Sequence, residues 1–260
     1  MTVHTLPTTH RPAQATGAAQ SDCAACPHQA LREAGGCVPG DACVRAHSGR
    51  QIDRFLRRHP ELAQAYLDDD FWERRAIAAI YAPLPAVQAR MRDPDAVVRR
   101  AVATRLPAEA LRALARDPDR EVRITVASRL PPRDLTVLLA DPDYLVRLTV
   151  AERLPHGWLP RLAEDPDREV RKAVARRLPP FALGRLRHDP EPEVRRIVAA
   201  RALPEDAAVL LADADWVVRL EAARRAPLPA LPPLLDDPEA EVRAVARQRI
   251  LGEPAAEDAP

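Results

Sequence analysis

The chain has a single lysine. Lys172 stands among 39 basic residues, and all the others are arginine. Arginine suits fixed, bidentate ion pairs, although a GC-rich genome gives the same bias. Aromatic residues make up 3% of the chain and glycine only 8 of 260 positions. The first scarcity argues against a base-stacking platform and against one large globular core; the second leaves few flexible linkers. No apolar run reaches membrane-spanning length. The first twenty residues lack the basic-then-apolar order of a secretory signal. We therefore expect a cytoplasmic protein with no membrane contact. The formal net charge of +1 is far from the strongly basic balance of a nucleic-acid-binding domain. G-x-S-x-G, Walker, H-E-x-x-H and G-x-G-x-x-G motifs are all missing, so no catalytic residue is expected and the chain reads as a non-enzyme.

What the chain does have is a repeat. Asp-Pro recurs every 24 residues at Asp93, Asp117, Asp141, Asp165, Asp189 and Asp237, with Asp213-Ala214 in phase and Asp69 one step earlier. Eight units run from there toward the C-terminus, and a fixed period held this long marks a solenoid. With that Asp as position 1, position 7 is arginine in every unit (Arg75 to Arg243), and position 6 is valine in the last seven (Val98 to Val242). Positions 6, 10 and 14 lie four residues apart on one helical face. Each unit therefore opens with a helix of about three turns, with an Asp at position 1 or 3 available to cap it. Leu-Pro, as at Leu106-Pro107 and Leu130-Pro131, ends it, because a residue before proline is pushed out of helical geometry. Leucines at positions 19 and 22 follow, a spacing that fits a short 3₁₀ helix or one α turn. Nothing alternates with period two, so the fold class expected is all-α. One unit cannot bury its Val/Ala/Leu face alone; stacking buries it.

The motif Asp-Pro-Asp-x-x-Val-Arg-x-x-Val-Ala-x-Arg-Leu-Pro…Leu-x-x-Leu over residues 69–250 resembles the leucine-rich repeat variant family. That resemblance implies a right-handed superhelical solenoid of alternating α and 3₁₀ helices. HEAT-like repeats share the Asp…Val-Arg signature, but in much longer units. The division expected is a tail at 1–20, a four-cysteine module at 21–50, a helical connector at 51–68, the repeats at 69–252 and an acidic tail at 253–260.

All four cysteines sit in the module: Cys23, Cys26, Cys37 and Cys43, spaced C-x₂-C-x₁₀-C-x₅-C. Four clustered thiols in a cytosolic chain favour metal over disulfides. Spacing alone leaves zinc and an iron–sulfur cluster both open. Some leucine-rich repeat variant proteins carry an N-terminal four-cysteine domain that binds one [4Fe–4S] cluster, and this module is similar to it in position and cysteine count. The resemblance thus implies [4Fe–4S] ligated by these four residues, with zinc as the alternative. Family members of this kind are associated with nitrogen-fixing bacteria. His28 and His47 are spare ligands, or simply solvated surface histidines.

Two further patterns bear on partners. Acids at position 3 stand four residues before the position-7 arginines, as in Asp119–Arg123 and Asp167–Arg171, and are expected to pair with them within one helix. A second column at position 13, Arg105, Arg129, Arg153, Arg177, Arg201, Arg225 and Arg249, has no partner at fixed spacing and is the candidate basic stripe for nucleic acid. Trp72, Tyr144 and Trp216 all occupy position 4, in the first helical turn, where they either anchor a protein partner or pack locally. The functional expectation is a repeat scaffold for an unidentified protein partner, with a cluster that either caps and stabilises it or makes binding redox-dependent. A nucleic-acid-binding redox or iron sensor and a one-electron carrier are the alternatives.

Overall fold

The structure is a computed structural model that describes residues 23–252. The expected tails at 1–20 and 253–260 lie outside the described residues. The chain divides into two compact units, one ending at Leu106 and the other beginning at Pro107.

The second unit shows the repeat most plainly. Ten-residue helices span Arg120–Arg129, Tyr144–Arg153, Arg168–Arg177, Pro192–Arg201 and Trp216–Arg225. Position 3 starts them. Asp119 is extended (φ −87°, ψ 129°), and its carboxylate accepts from the backbone N–H groups of Glu121 and Val122. Asp143, Asp167 and Asp215 cap their helices in the same way, satisfying amides that have no partner inside the helix. Glu191 and Glu239 hold the cap position without a side-chain bond. The residue before proline ends four of these helices by turning extended, as Leu130 does at ψ 144°, and Ala202, two residues before Pro204, ends the helix Pro192–Arg201 in the same way.

The second leg takes both expected forms. Seven-residue 3₁₀ helices span Pro132–Leu138, His156–Leu162 and Pro180–Leu186. Elsewhere a short α segment precedes a 3₁₀ turn, as in Pro204–Val209 followed by Leu210–Ala212. Among the described residues there is no β-strand, only an isolated bridge between Val38 and Ala42. The core follows the repeat: Val146, Val150, Ala151, Leu154, Leu159 and Leu162 are all buried, as are their equivalents in neighbouring repeats. Each fully buried Val or Leu favours the folded state by about 1.5–3 kcal/mol over exposure.

The position-7 arginines correct the expected pairing. Arg171 Nε and Nη2 donate to the Asp189 carboxylate at 2.7 and 3.0 Å, 18 residues ahead, at position 1 of the next repeat. Its Nη1 donates to the carbonyls of Asp165 and Pro166, at positions 1 and 2 of its own repeat. Arg123–Asp141, Arg147–Asp165, Arg195–Asp213 and Arg219–Asp237 repeat the arrangement. The pairing therefore runs between repeats rather than along one helix. Where position 3 is aspartate, its carboxylate is turned back onto the helix amides. Position 1 also accepts from the backbone N–H of position 3, as Asp189 does from Glu191.

In the first unit, the helix Gly49–Arg58 buries Ile52, Phe55 and Leu56, and the 3₁₀ helix Pro60–Tyr66 buries Ala63 and Tyr66. Two repeat helices follow, Trp72–Tyr81 and Ala96–Arg105, joined by an Arg75–Asp93 rung with Nε–Oδ2 at 2.9 Å.

Removing one partner of a buried ion pair leaves the other charge stranded, which typically costs about 3–5 kcal/mol. We expect Arg171→Met or Asp189→Asn to lower stability in urea unfolding by that order, whereas Lys172→Met, which breaks a more exposed pair with Glu193, has little effect. The rungs also carry a pH dependence. The Arg219 hydrogen bond holds the Asp237 carboxyl below its usual value against a smaller opposing effect of burial, and the Glu239 amide adds to the lowering. A carboxyl depressed on folding contributes stability that is present above its unfolded pKa of about 3.9 and is lost as pH falls through the lower folded value. Asp237→Asn should therefore flatten the fall of stability between about pH 5 and pH 2, measured by chemical unfolding across that range.

Candidate metal centre

The cysteine module is a chain of tight turns. Gly35 and Gly40 take positive φ (75° and 85°), which glycine adopts without a side-chain penalty. Gly36 and Cys37 donate their N–H groups to the Leu31 carbonyl. The Val38–Ala42 bridge closes the next loop, and Cys43 N–H donates to the Gln51 carbonyl of the following helix. These turns bring all four thiols to the lining of one pocket. Cys37 and Cys43 are buried and Cys23 and Cys26 half-buried. All four are free thiols.

Burial pushes the Cys37 thiol up to about 11, and the neighbouring Cys43, Cys26 and Cys23 push it the same way. Four thiols this close resist ionising together unless a positive centre compensates them. Two findings on the geometry pull apart. The thiols share a pocket, yet among the described residues no group of three or more His, Cys, Asp or Glu converges on a single-ion site. Tetrahedral zinc holds its sulfurs about 2.3 Å from one point. An iron–sulfur cluster takes thiolates spread around a body several atoms wide, and the four thiols lining this pocket supply that donor set. Cys23, Cys26, Cys37 and Cys43 are the residues that would hold it.

Of the two spare histidines, His28 lines the pocket with the four thiols and His47 is not among its lining residues. His28 is half-buried, lowered in pKa by burial and by His59. Its Nε2 is hydrogen-bonded to the Tyr66 hydroxyl, and its ring lies 5.3 Å from that of Phe55. It is a packing residue, not the solvated one expected. His47 is exposed, with its ring 5.1 Å from Phe71.

Arg74 is a residue the sequence reading passed over. It stands at position 6 of the first repeat, where the later repeats have valine, and it is 5% exposed. Its Nε donates to the Val44 carbonyl at 2.6 Å, Nη2 to Ala46 at 3.4 Å and Nη1 to Asp69 at 2.5 Å. It bolts the loop that follows Cys43 to the first repeat. The break in the valine column was the available signal.

The position-13 column also needs correction. Arg177 Nη1 donates to the carbonyls of Ala151 and Leu154, 26 and 23 residues back, at 2.8 and 2.7 Å. Arg249 does the same to Ala223 and Ala226, and Arg153 to Ala127 and Leu130. Arg201 reaches Ala175 and Arg225 reaches Ala202; in the first unit Arg105 reaches Ala79, Ile80 and Ala82. These arginines do have a partner at fixed spacing: the open carbonyls at the end of the preceding helix, where a cation is favoured. Arg129 is exposed.

Trp72, Tyr144 and Trp216 begin their helices and are 40%, 40% and 39% exposed. The sequence reading missed two other aromatics on 3₁₀ segments: Phe181, the most exposed large apolar side chain described at 76%, and Trp158, whose ring lies 4.5 Å from the Arg161 guanidinium.

With this geometry in place, comparisons with known proteins become informative. A family model described as leucine rich repeat variant matches residues 96–119, 120–143, 144–167 and 168–191, and one described as LRV protein FeS4 cluster matches residues 16–65. A solved structure titled a leucine-rich repeat variant with a novel repetitive protein structural motif is 55% identical, with a TM-score of 0.83, over 90% of this chain and all of that one. This chain belongs to the leucine-rich repeat variant family. It is also 43% identical over 85 residues to an uncharacterized 27.7 kDa protein in the nifB 3′ region of Rhodobacter capsulatus, a match spanning 33% of this chain and 35% of that relative. As a leucine-rich repeat variant protein with the four-cysteine module, the chain is of an iron–sulfur cluster type.

If Arg74 holds the Cys43 loop, Arg74→Val, which restores the residue the other repeats carry, should leave the repeats folded by circular dichroism while cutting the iron retained after gel filtration severalfold. Retention equal to the unaltered chain would remove that role.

Proposed function

We propose that this chain is a non-enzymatic scaffold whose repeats engage a protein partner and whose cysteines hold a [4Fe–4S] cluster that makes the engagement depend on redox state. The observation that carries the reading is the four-thiol pocket tied by Arg74 to the first repeat, which gives a metal centre a direct mechanical connection to a repeat. The exposed position-4 aromatics and Phe181 supply the kind of anchor that protein interfaces use. The acids at position 1 pair with the arginines at position 7, and the aspartates at position 3 are spent on helix amides, so the distinctive chemistry rests in the module. A bound cluster would supply one-electron redox chemistry. Cytoplasmic location belongs to the same reading; among the described residues no helix is long and apolar enough to cross a membrane.

One alternative has its own support. Cys23 and Cys26 are only half-buried, which brings a bound centre near the surface, as a one-electron carrier needs. The nucleic-acid reading loses support, because most of the candidate stripe is spent on backbone carbonyls.

The test begins with anaerobically purified full chain, assayed for iron, acid-labile sulfide and zinc beside its visible spectrum. We expect about four iron and four sulfide per chain. A colourless protein with a single zinc would overturn the cluster and with it the redox dependence. Partners captured on the oxidised and on the dithionite-reduced protein are then compared, and equal capture in both states would leave a plain scaffold.

A further inference from the structure

The thiol pocket is lined by two arginines and by no acid. Arg32 and Arg45 stand in it with the four cysteines, His28 and Gln29. Both are exposed. Three neighbouring arginines have acidic partners: Arg54 and Arg58 share Asp41, and Arg57 reaches Asp53. Arg32 and Arg45 form no ion pair among the described residues. Residues 23–58 carry six arginines against three acids, although the whole chain has a net charge of only +1. The positive excess is thus concentrated in the module, and of its three arginines without an ion pair among the described residues, Arg32, Arg45 and Arg50, the first two line the pocket.

Unpaired, exposed cations around a site raise the local potential, speed encounter with an opposite charge and orient it. They do so here on the module whose Cys23 and Cys26 are partly open to solvent. We propose that the Arg32–Arg45 rim is the docking surface for an acidic electron-carrier protein. The charge of the rim selects the sign of the partner, and the thiols between the arginines place the partner's own redox centre beside the bound one. The inference rests on the metal-centre reading and deepens its electron-carrier form. It differs from the aromatic anchors, which lie on the repeats.

The experiment uses iron-replete full chain, with an acidic [2Fe–2S] ferredoxin as the probe, titrated by calorimetry at low and high salt. Binding should weaken steeply with salt. Arg32→Glu with Arg45→Glu should weaken it at least about tenfold, and Arg32→Lys with Arg45→Lys should keep most of it, because the charge is retained. Arg133→Glu, on a repeat residue whose side chain is 86% exposed, should stay within about twofold of the unaltered chain. If charge reversal empties the module, Arg32→Gln with Arg45→Gln at matched iron content is read instead, with a smaller loss in the same direction. The proposal is overturned if the unaltered chain does not bind the probe, if an iron-replete rim variant binds as well as the unaltered chain, or if Arg133→Glu loses as much. A DNA duplex that binds more tightly than the probe and is released by the rim variant would reassign the surface to nucleic acid. Purified chain without iron would instead remove the metal-centre reading itself, a result told apart by the iron assay.

Discussion

A guanidinium bonded backward to two carbonyls of its own repeat and forward to the carboxylate of the next is the contact on which the repeat array depends. Taking a carboxylate and a guanidinium out of water is expensive, and such a pair holds only when its remaining donors are satisfied. Here Nε and Nη2 meet both oxygens of one carboxylate, while Nη1 meets two backbone oxygens. The carboxylate in turn accepts the N–H that precedes the next helix. One side chain thus sets both the local turn and the step to its neighbour. Lysine, a compact point charge with no planar fork, cannot do this. The near-exclusive use of arginine therefore has a structural use whatever the genome's base composition contributes.

The second arginine column solves a different problem with the same residue. Before the last repeat, each helix stops just ahead of a proline, before its last carbonyls find partners. The position-13 guanidinium of the following repeat supplies donors to them, as Arg177 does for Ala151 and Leu154. The two columns bind successive repeats at both ends of the helix, and between them the Val, Ala and Leu side chains fill the interior. A surface rich in charge is thereby left with modest reserves of free positive charge along the helices. The first repeat departs from the pattern at several places, Asp70, Phe71, Ala78 and Tyr81 among them, and at one of them, Arg74, the departure holds the cysteine loop.

The repeat period, the helix starts and stops, the all-helical class and the buried positions were legible because each depends on spacing along the chain. Asp-Pro and Leu-Pro mark the ends of the helix, and a four-residue interval defines one face. The four thiols were legible for the same reason, since their residue type and clustering are local. The errors were of one kind. The position-3 acids were paired with position 7 because four residues is contact distance on a helix surface, yet Asp119 spends its carboxylate on the amides of Glu121 and Val122. The position-13 arginines looked unpartnered because their partners are main-chain oxygens, which every residue carries and no pattern of side chains reveals. His28 gave no sign that it would meet Tyr66, 38 residues away.

By itself, then, the sequence determined the period, the order of helices and turns, the apolar face and the set of clustered thiols, because propensity, proline stops and side-chain periodicity act within a few residues. Only the tertiary structure decided which carboxylate each arginine meets, which carbonyls the second column caps, and which arginines remain unpaired beside the cysteines. Those outcomes depend on groups 18 to 38 residues apart reaching hydrogen-bonding distance. Stacking of one repeat on the next and closure of the module's turns are what bring them together.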